Sequence, residues 1–279
     1  MKPLKILKNV TTVGVWTLAS RVLGLIRDVI FFTIIGVGPV LDAFFVAFRL
    51  PNMFRRFFAE GAFNASFVPM FSKRLETNDN PNYFLSQSFN ILAFILIFFT
   101  ILCILCMPAL IWLTAGGFYQ DARFDLAVDY GRIIFPYILF VSLSSVLSGA
   151  LNSKGFFAAS AAAPILLNLT IITAVTTAWY FNLEIAYYLV WSIPLAGILQ
   201  LFLLWRAAKT AGLVIKLSRP CISPEIKNLF AIAAPAAMAN GVVQINILVG
   251  QVVASFYAGA VSWLYGADRL YQLPLGVVG

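Results

Sequence analysis

No histidine occurs anywhere in the 279 residues, cysteine occurs three times, and 11 acidic side chains face 19 basic ones. Without histidine the commonest general base and a leading transition-metal ligand are missing. There is also no Walker-type glycine loop, no pair of acids at metal-ligand spacing and no serine beside a plausible base. No enzyme constellation emerges, and no metal site is expected. Cys103 and Cys106 form a C-x-x-C, but it lies in the middle of an apolar run with no further ligand near it, so helix packing accounts for it. Charge is scarce as well: 11% of residues are charged and 61% are hydrophobic. That balance excludes an ordinary soluble domain.

What is present is a series of long apolar runs with a mean hydropathy of +0.92. A helix needs about 20 apolar residues to cross the roughly 30 Å hydrocarbon layer of a bilayer. Seven runs reach that length, at about 10 to 36, 40 to 71, 84 to 114, 128 to 152, 157 to 181, 185 to 208 and 226 to 258, and an eighth begins near Ser262. The expectation is an all-α, polytopic membrane protein. Lys2, Lys5 and Lys8 followed by an apolar stretch and Leu18-Ala19-Ser20 have the outline of a secretory signal, but the apolar run continues well past the supposed cleavage site.

Lysines and arginines near helix ends favour the cytoplasmic side. With the N-terminus inside, that side collects Lys2, Lys5, Lys8, Lys73, Arg74, Lys154, Arg206, Lys209, Lys216, Arg219 and Lys227. The outer loops hold only Arg123, beside Asp121, Asp125, Asp129 and Glu184. The net charge of +8 is therefore an orientation signal plus intramembrane arginines, and no nucleic-acid partner is expected.

Two polar stretches interrupt the pattern, Ser72 to Asn82 and Lys209 to Lys227. Past the second, "IKNL" at Ile226 echoes "LKNV" at Leu7, and "DRL" at Asp268 echoes "FRL" at Phe48. The lysines are 219 residues apart and the arginines 220. Transporters are commonly built from such repeated helical halves, with the substrate site between them. The expected organisation is a six-helix lobe over 1–210, a cytoplasmic linker over 211–225 and the start of a second lobe over 226–279. Small residues at Ser142, Ser144, Ser145, Ser148, Gly149 and Ala150 suit close helix approach. Pro136, Pro164, Pro194 and Pro235 are candidate kinks.

Within the apolar runs stand Arg21, Arg27, Asp28, Asp42, Arg49, Arg55, Arg56, Glu60, Arg132, Asp268 and Arg269. A charge at the bilayer centre costs about 2.5–3.5 kcal/mol on insertion scales, so such groups usually face a protein interior or a watery cavity. Arg21 and Asp28 share a helix face, as do Asp42, Arg49 and Arg56. Arg27 and Arg55 lie off those faces, and Gly24 and Pro51 are candidate breaks that would re-aim them. In one reading the charges pair internally: Arg27 with Asp28, Arg49 with Asp42, Arg55 and Arg56 at the inner rim. Arginines outnumber the available acids, however, and for Arg21 and Arg27 an unneutralised cation cluster that wants an anion is the stronger reading. Guanidinium groups bind phosphate through paired, charge-assisted bonds and keep their charge when desolvated.

The strings "SRVLGLIRD" (from Ser20), "DAFFVAFRLPNMFRRFFAEGAF" (from Asp42), "FPYI" (from Phe135), "PILLN" (from Pro164) and "SWLYGADRL" (from Ser262) resemble the MurJ (MviN) lipid II flippases of bacteria. The resemblance runs along the whole chain. It implies a six-helix N-terminal lobe like that of the multidrug/oligosaccharidyl-lipid/polysaccharide exporter superfamily, the MATE-like fold. It also implies movement of the undecaprenyl-diphosphate-linked peptidoglycan precursor, lipid II, from the inner to the outer leaflet of the bacterial cytoplasmic membrane. Alternating access driven by the membrane potential is the implied mechanism, with no enzyme activity and no cofactor. Lipid II, membrane lipids and proteins of cell-wall synthesis are the implied partners. By the same resemblance Arg21, Arg27, Arg55 and Arg269 are the substrate-binding arginines, Asp42 acts in gating or charge balance, and Asp28 lies beside an anion site with Arg27, chloride being one candidate. Family members have fourteen helices, so a chain ending early in the eighth reads as truncated, which puts transport by this stretch alone in doubt. A flippase for another glycan on the same carrier, or a membrane scaffold whose arginines pair internally, are the rival readings.

Overall fold

The computed structural model describes residues 3–56, 62–219 and 223–278. Among them are eleven α-helices and no strand: α1 Pro3–Ile30, α2 Pro39–Arg55, α3 Ala62–Thr77, α4 Pro81–Leu105, α5 Met107–Thr114, α6 Ala122–Ile134, α7 Tyr137–Ser153, α8 Ala158–Tyr180, α9 Ile185–Thr210, α10 Pro224–Ser255 and α11 Ala260–Val278. The helix starts carry their usual signals. Proline opens α2, α4 and α10, where its missing N–H costs nothing. The Ser223 side chain caps α10 by accepting from the Ile226 N–H, and Glu225 sits in that helix's positive first turn.

Four segments are long and apolar enough to cross a membrane: Pro81–Leu105, Ala122–Ser153, Ala158–Tyr180 and Ile185–Thr210. Large apolar side chains on their outsides, including Phe98 and Leu105 on α4 and Trp191 and Phe202 on α9, are exposed as a lipid-facing surface requires. The interior is phenylalanine-rich. Phe63, Phe67 and Phe71 recur every fourth residue on one face of α3, and Phe67 stacks on Phe71 at 5.3 Å and on Phe84 of α4 at 5.7 Å. The small-residue stripe of α7 lets α3 approach closely. A Cβ at Gly149 would stand 3.1 Å from the Val68 side chain and 3.2 Å from that of Asn64.

Several expected breaks fall elsewhere. Gly24 and Pro51 do not interrupt α1 or α2. The carbonyl of Phe48 is taken by the Asn52 side chain at 2.8 Å, which supports the backbone around Pro51. Instead α1 widens into a π-helical turn, Phe31–Ile35, directly after the charged pair Arg27 and Asp28. The third apolar run breaks at Cys106, and of the four candidate prolines only Pro136 stands at a break, between α6 and α7, while Pro164, Pro194 and Pro235 stay inside their helices. Glu60 and Cys221 lie outside the described residues.

Residues 213–219 carry no helix and run along α4. The Val214 N–H donates to Asn82 Oδ1 (3.3 Å) and the Lys216 N–H to Ser86 Oγ (3.1 Å), while Asn90 Nδ2 donates to the Lys216 carbonyl (2.9 Å) and to Ser218 Oγ (3.1 Å). The match is geometric: two residues of extended chain advance about 6.6 Å and four residues of helix about 6 Å. Alternate residues of the segment thus meet every fourth residue of α4.

Candidate functional site

Seven residues separate Ser20 from Arg27, two turns of α1, and Asn168 of α8 grips both. Its Nδ2 donates to the Ser20 carbonyl at 3.0 Å, and its Oδ1 accepts from Arg27 Nη1 at 2.9 Å. Gly24 lies between them, and a Cβ there would meet Asn168 Nδ2 at an ordinary contact distance of 3.7 Å. Arg27 Nε and Nη2 also donate to Asp28 Oδ1 at 3.0 and 2.7 Å. From α11, the Tyr265 hydroxyl accepts from Arg27 Nη2 at 2.9 Å and donates to Asp28 Oδ1 at 3.2 Å. Arg269, one turn further along α11, brings its Nε to 3.6 Å from Asp28 Oδ2. Asp28 therefore stands between two guanidinium groups from opposite ends of the chain.

This corrects the reading of Arg27 as an unneutralised cation. The residue is buried, and every one of its nitrogens has a partner. The physical reason is the cost of an unpaired ion in an apolar interior, which the adjacent carboxylate removes at almost no chain entropy. The cluster joins the expected site residues Arg27, Asp28 and Arg269. It also contains two that sequence reasoning missed, Asn168 and Tyr265. Both lay inside quoted strings, "PILLN" and "SWLYGADRL", but neither bears a charge to draw notice.

Asp42 does not join that cluster and does not pair with Arg49. Its carboxylate is fully buried at the first turn of α2. Oδ2 accepts from the Gly259 N–H at 2.8 Å, and Oδ1 accepts from the Ser262 N–H and hydroxyl at 2.9 and 2.6 Å. A carboxylate on one helix thereby caps the start of another, α11, where the N–H groups are otherwise unpaired. Its ion-pair partner is Arg123, whose Nη1 lies 3.5 Å from Asp42 Oδ2 and 3.4 Å from the Tyr257 carbonyl. Arg123, counted in the sequence only as a loop charge, is buried. Its guanidinium lies 4.3 Å over the Phe118 ring, and its Nε bonds Asp121 at 2.7 Å. The Arg123 N–H and side chain hold the Asp121 carboxyl below its usual range.

The turn joining α10 to α11 is gripped elsewhere too. Gln251 Nε2 donates to the Thr114 carbonyl at 3.0 Å and the Gly117 N–H to Ser255 Oγ at 2.9 Å. Gly259 has φ +77°, open to glycine, and a Cβ there would also strike Val37 at 2.8 Å. At the opposite end of the bundle, Arg74 of α3 pairs with Glu225 of α10 at 3.1 Å and with Asp79 at 3.1 Å. Of the remaining site candidates, Arg21 is exposed on α1 and Arg55 is half-buried at the end of α2. Arg132 is largely exposed beside Asp129 at 3.6 Å.

An all-α bundle of membrane-length helices, with ion pairs held inside it and helix ends gripped across it, has the architecture of a polytopic membrane protein. It superposes on the inward-facing conformation of a multidrug resistance MATE family transporter of the MOP superfamily, with a TM-score of 0.70 at 17% identity over 91% of this chain and 58% of that one, a likeness of fold. The family model for "Lipid II flippase MurJ" matches residues 31–279, and the chain belongs to that family. A solved lipid II flippase MurJ in its inward closed conformation matches with a TM-score of 0.79 and 30% identity, over 95% of this chain and 55% of that one. A probable lipid II flippase MurJ of Rhizobium tropici is 46% identical over 99% of this chain and 53% of its own length. The lipid II flippase MurJ of Burkholderia cenocepacia is 34% identical over 99% of this chain and 55% of its own. The chain thus spans about half the length of the curated relatives it matches.

Proposed function

We propose that the chain belongs to a flippase that carries lipid II, the undecaprenyl-diphosphate-linked peptidoglycan precursor, from the inner to the outer leaflet of the bacterial cytoplasmic membrane. The N-terminus lies inside, as the lysine and arginine distribution supports. The activity is transport, not catalysis, and works by alternating access between a lobe over 1–210 and a second lobe opening after the linker at 211–225.

One observation carries the reading. Asp28 lies between Arg27 and Arg269, with one oxygen 2.7 Å from Arg27 Nη2 and the other 3.6 Å from Arg269 Nε. A carboxylate bridging two guanidinium groups occupies the place a bridging diphosphate would take, an internal anion for which the substrate's phosphates could substitute. Arg21 and Arg55 would then meet the diphosphate or its sugars as the lobes part, and a chloride ion near Arg27 could fill the same role as Asp28. The membrane potential would drive the cycle. The Asp42 contacts, which fasten α2 to the start of α11, support gating: breaking them opens the outer face.

The test compares Arg27→Lys with Arg27→Ala in the full protein, scored by lipid II translocation and by rescue of cells lacking the flippase. Arg27→Ala should abolish both and Arg27→Lys retain part. The pairing of Arg27 with Asp28 favours one rival, a scaffold whose arginines only pair internally. That reading predicts loss of folded protein in the membrane, and it would stand if Arg27→Ala lowered expression while the surviving protein transported normally.

A further inference from the structure

Tyr265 occupies the position between the two arginines. Its hydroxyl is 2.9 Å from Arg27 Nη2 and 3.2 Å from Asp28 Oδ1, and its ring lies under the Arg269 guanidinium with 4.9 Å from Arg269 Cζ to the centroid. Tyr265 and Arg269 are four residues apart and share a helix face. The ring is fixed from the other side by Phe45 of α2, stacked with centroids 3.8 Å and planes 17° apart.

We infer that Tyr265 is a positioning and specificity-determining residue: it sets the spacing of Arg27 and Arg269, and its hydroxyl is handed from Asp28 to a phosphate oxygen when a diphosphate enters. This rests on the proposed function above. The chemistry is an exchange of acceptors. The phenol proton points to Asp28 Oδ1, the oxygen that also takes Arg27 Nε and Nη2. An anion seated between the two guanidinium groups lies beside the phenol, which is carried with Arg269 on one face of α11 and turns its proton from Asp28 Oδ1 to the nearer phosphate oxygen. A diphosphate has two phosphoryl groups to span two cations and still offer the phenol an oxygen. A monophosphate has one and gains much less.

The experiment uses the full protein in lipid nanodiscs, with undecaprenyl diphosphate and undecaprenyl phosphate as probes, for wild type, Tyr265→Phe and Tyr265→Leu. Tyr265→Phe keeps the ring on Phe45 and under Arg269. It should keep the fold at a melting temperature lowered by a few degrees for the two bonds lost to Arg27 and Asp28, lose about tenfold in diphosphate affinity, the size of one charge-assisted hydrogen bond, and leave monophosphate binding unchanged. Tyr265→Leu, which loses the ring as well, should lower diphosphate affinity further. A wild type that binds both probes alike overturns the diphosphate reading and this inference with it. A selective wild type matched by Tyr265→Phe overturns the inference alone.

Discussion

One oxygen of Asp42 receives both the backbone N–H and the hydroxyl of Ser262, 220 residues away in sequence, at 2.9 and 2.6 Å. With the Gly259 N–H on its other oxygen, the buried carboxylate ties the first turn of α2 to the first turn of α11. Such a group holds its helices together because the first N–H groups of a helix have no partner within it.

Asp42→Asn should therefore loosen this end of the bundle. The amide keeps one acceptor oxygen but turns an NH2 toward N–H donors and removes the charge that faces Arg123. Breaking one partner of a buried ion pair costs about 3–5 kcal/mol, enough to move the population of a two-state element. Spin labels at Val37 and Tyr257, both exposed, should report a longer and broader distance distribution in the variant. An unchanged distribution would show that the remaining contacts suffice.

Asp121 supplies a pH dependence whose sign follows from its bonds. Its folded-state pKa is lowered, first by the Arg123 backbone N–H and then by the Arg123 side chain. The stabilisation is therefore fully present above the unfolded carboxyl value, about 3.9, and is lost as pH falls through the lower folded value. Asparagine keeps the cap, so wild type should melt only about 1–2 °C above Asp121→Asn at pH 6, the scale of a charge at a helix start. The gap should close by acidification below that range. A gap independent of pH would assign the effect to something other than the carboxylate.

Gly117 meets the end of α10 backbone to backbone. A Cβ there would fall 2.5 Å from the Phe256 nitrogen and 2.5 Å from the Ser255 carbonyl carbon, while one at Gly116 meets nothing within 4 Å. Gly117→Ala should push α10 away and cost about 1–3 kcal/mol, read as a lower melting temperature and a lengthened Val37–Tyr257 distance. Gly116→Ala should leave both unchanged, which separates the contact from a general effect of alanine in that loop.

Much of the fold was legible because hydropathy is a one-dimensional property. The runs at 84–114, 128–152, 157–181 and 185–208 needed only length and composition, and they correspond to α4–α5, α6–α7, α8 and α9. The breaks were less legible, since glycine and proline mark where a helix can yield and packing decides where it does. Gly24 leaves α1 unbroken, and the widened turn comes instead at Phe31–Ile35, where the composition gives no sign of it. In the candidate site, charge revealed Arg27, Asp28, Asp42 and Arg269. It did not reveal their partners, because Asn168, Tyr265 and Ser262 are neutral and become part of the site only when α8 and α11 are packed against α1 and α2. Arg123 was visible and misread: a loop position suggested exposure, whereas Asp42 draws it inside.

Asn168 is the residue on which these ideas about Arg27 can be separated most cleanly. It holds α1 at two points, Ser20 and Arg27, with one side chain. Asn168→Ala removes the acceptor for Arg27 Nη1 and leaves the two Asp28 bonds in place, a loss of about 1–3 kcal/mol if the freed N–H stays dry. Asn168→Asp keeps an acceptor but cannot donate to the Ser20 carbonyl, and it adds a second carboxylate beside Arg27. If Arg27 is only a structural ion, already paired with Asp28, the extra carboxylate should leave diphosphate-lipid affinity unchanged whatever it does to the melting temperature. If Arg27 must be released to an incoming anion, the same carboxylate competes with that anion. Diphosphate-lipid binding should then fall about tenfold or more while the fold is retained, because the competitor is tethered and always present. Measuring melting temperature and undecaprenyl diphosphate affinity on both variants distinguishes the cases. Falling affinity at retained stability in Asn168→Asp assigns Arg27 to the ligand, and unchanged affinity assigns it to the fold.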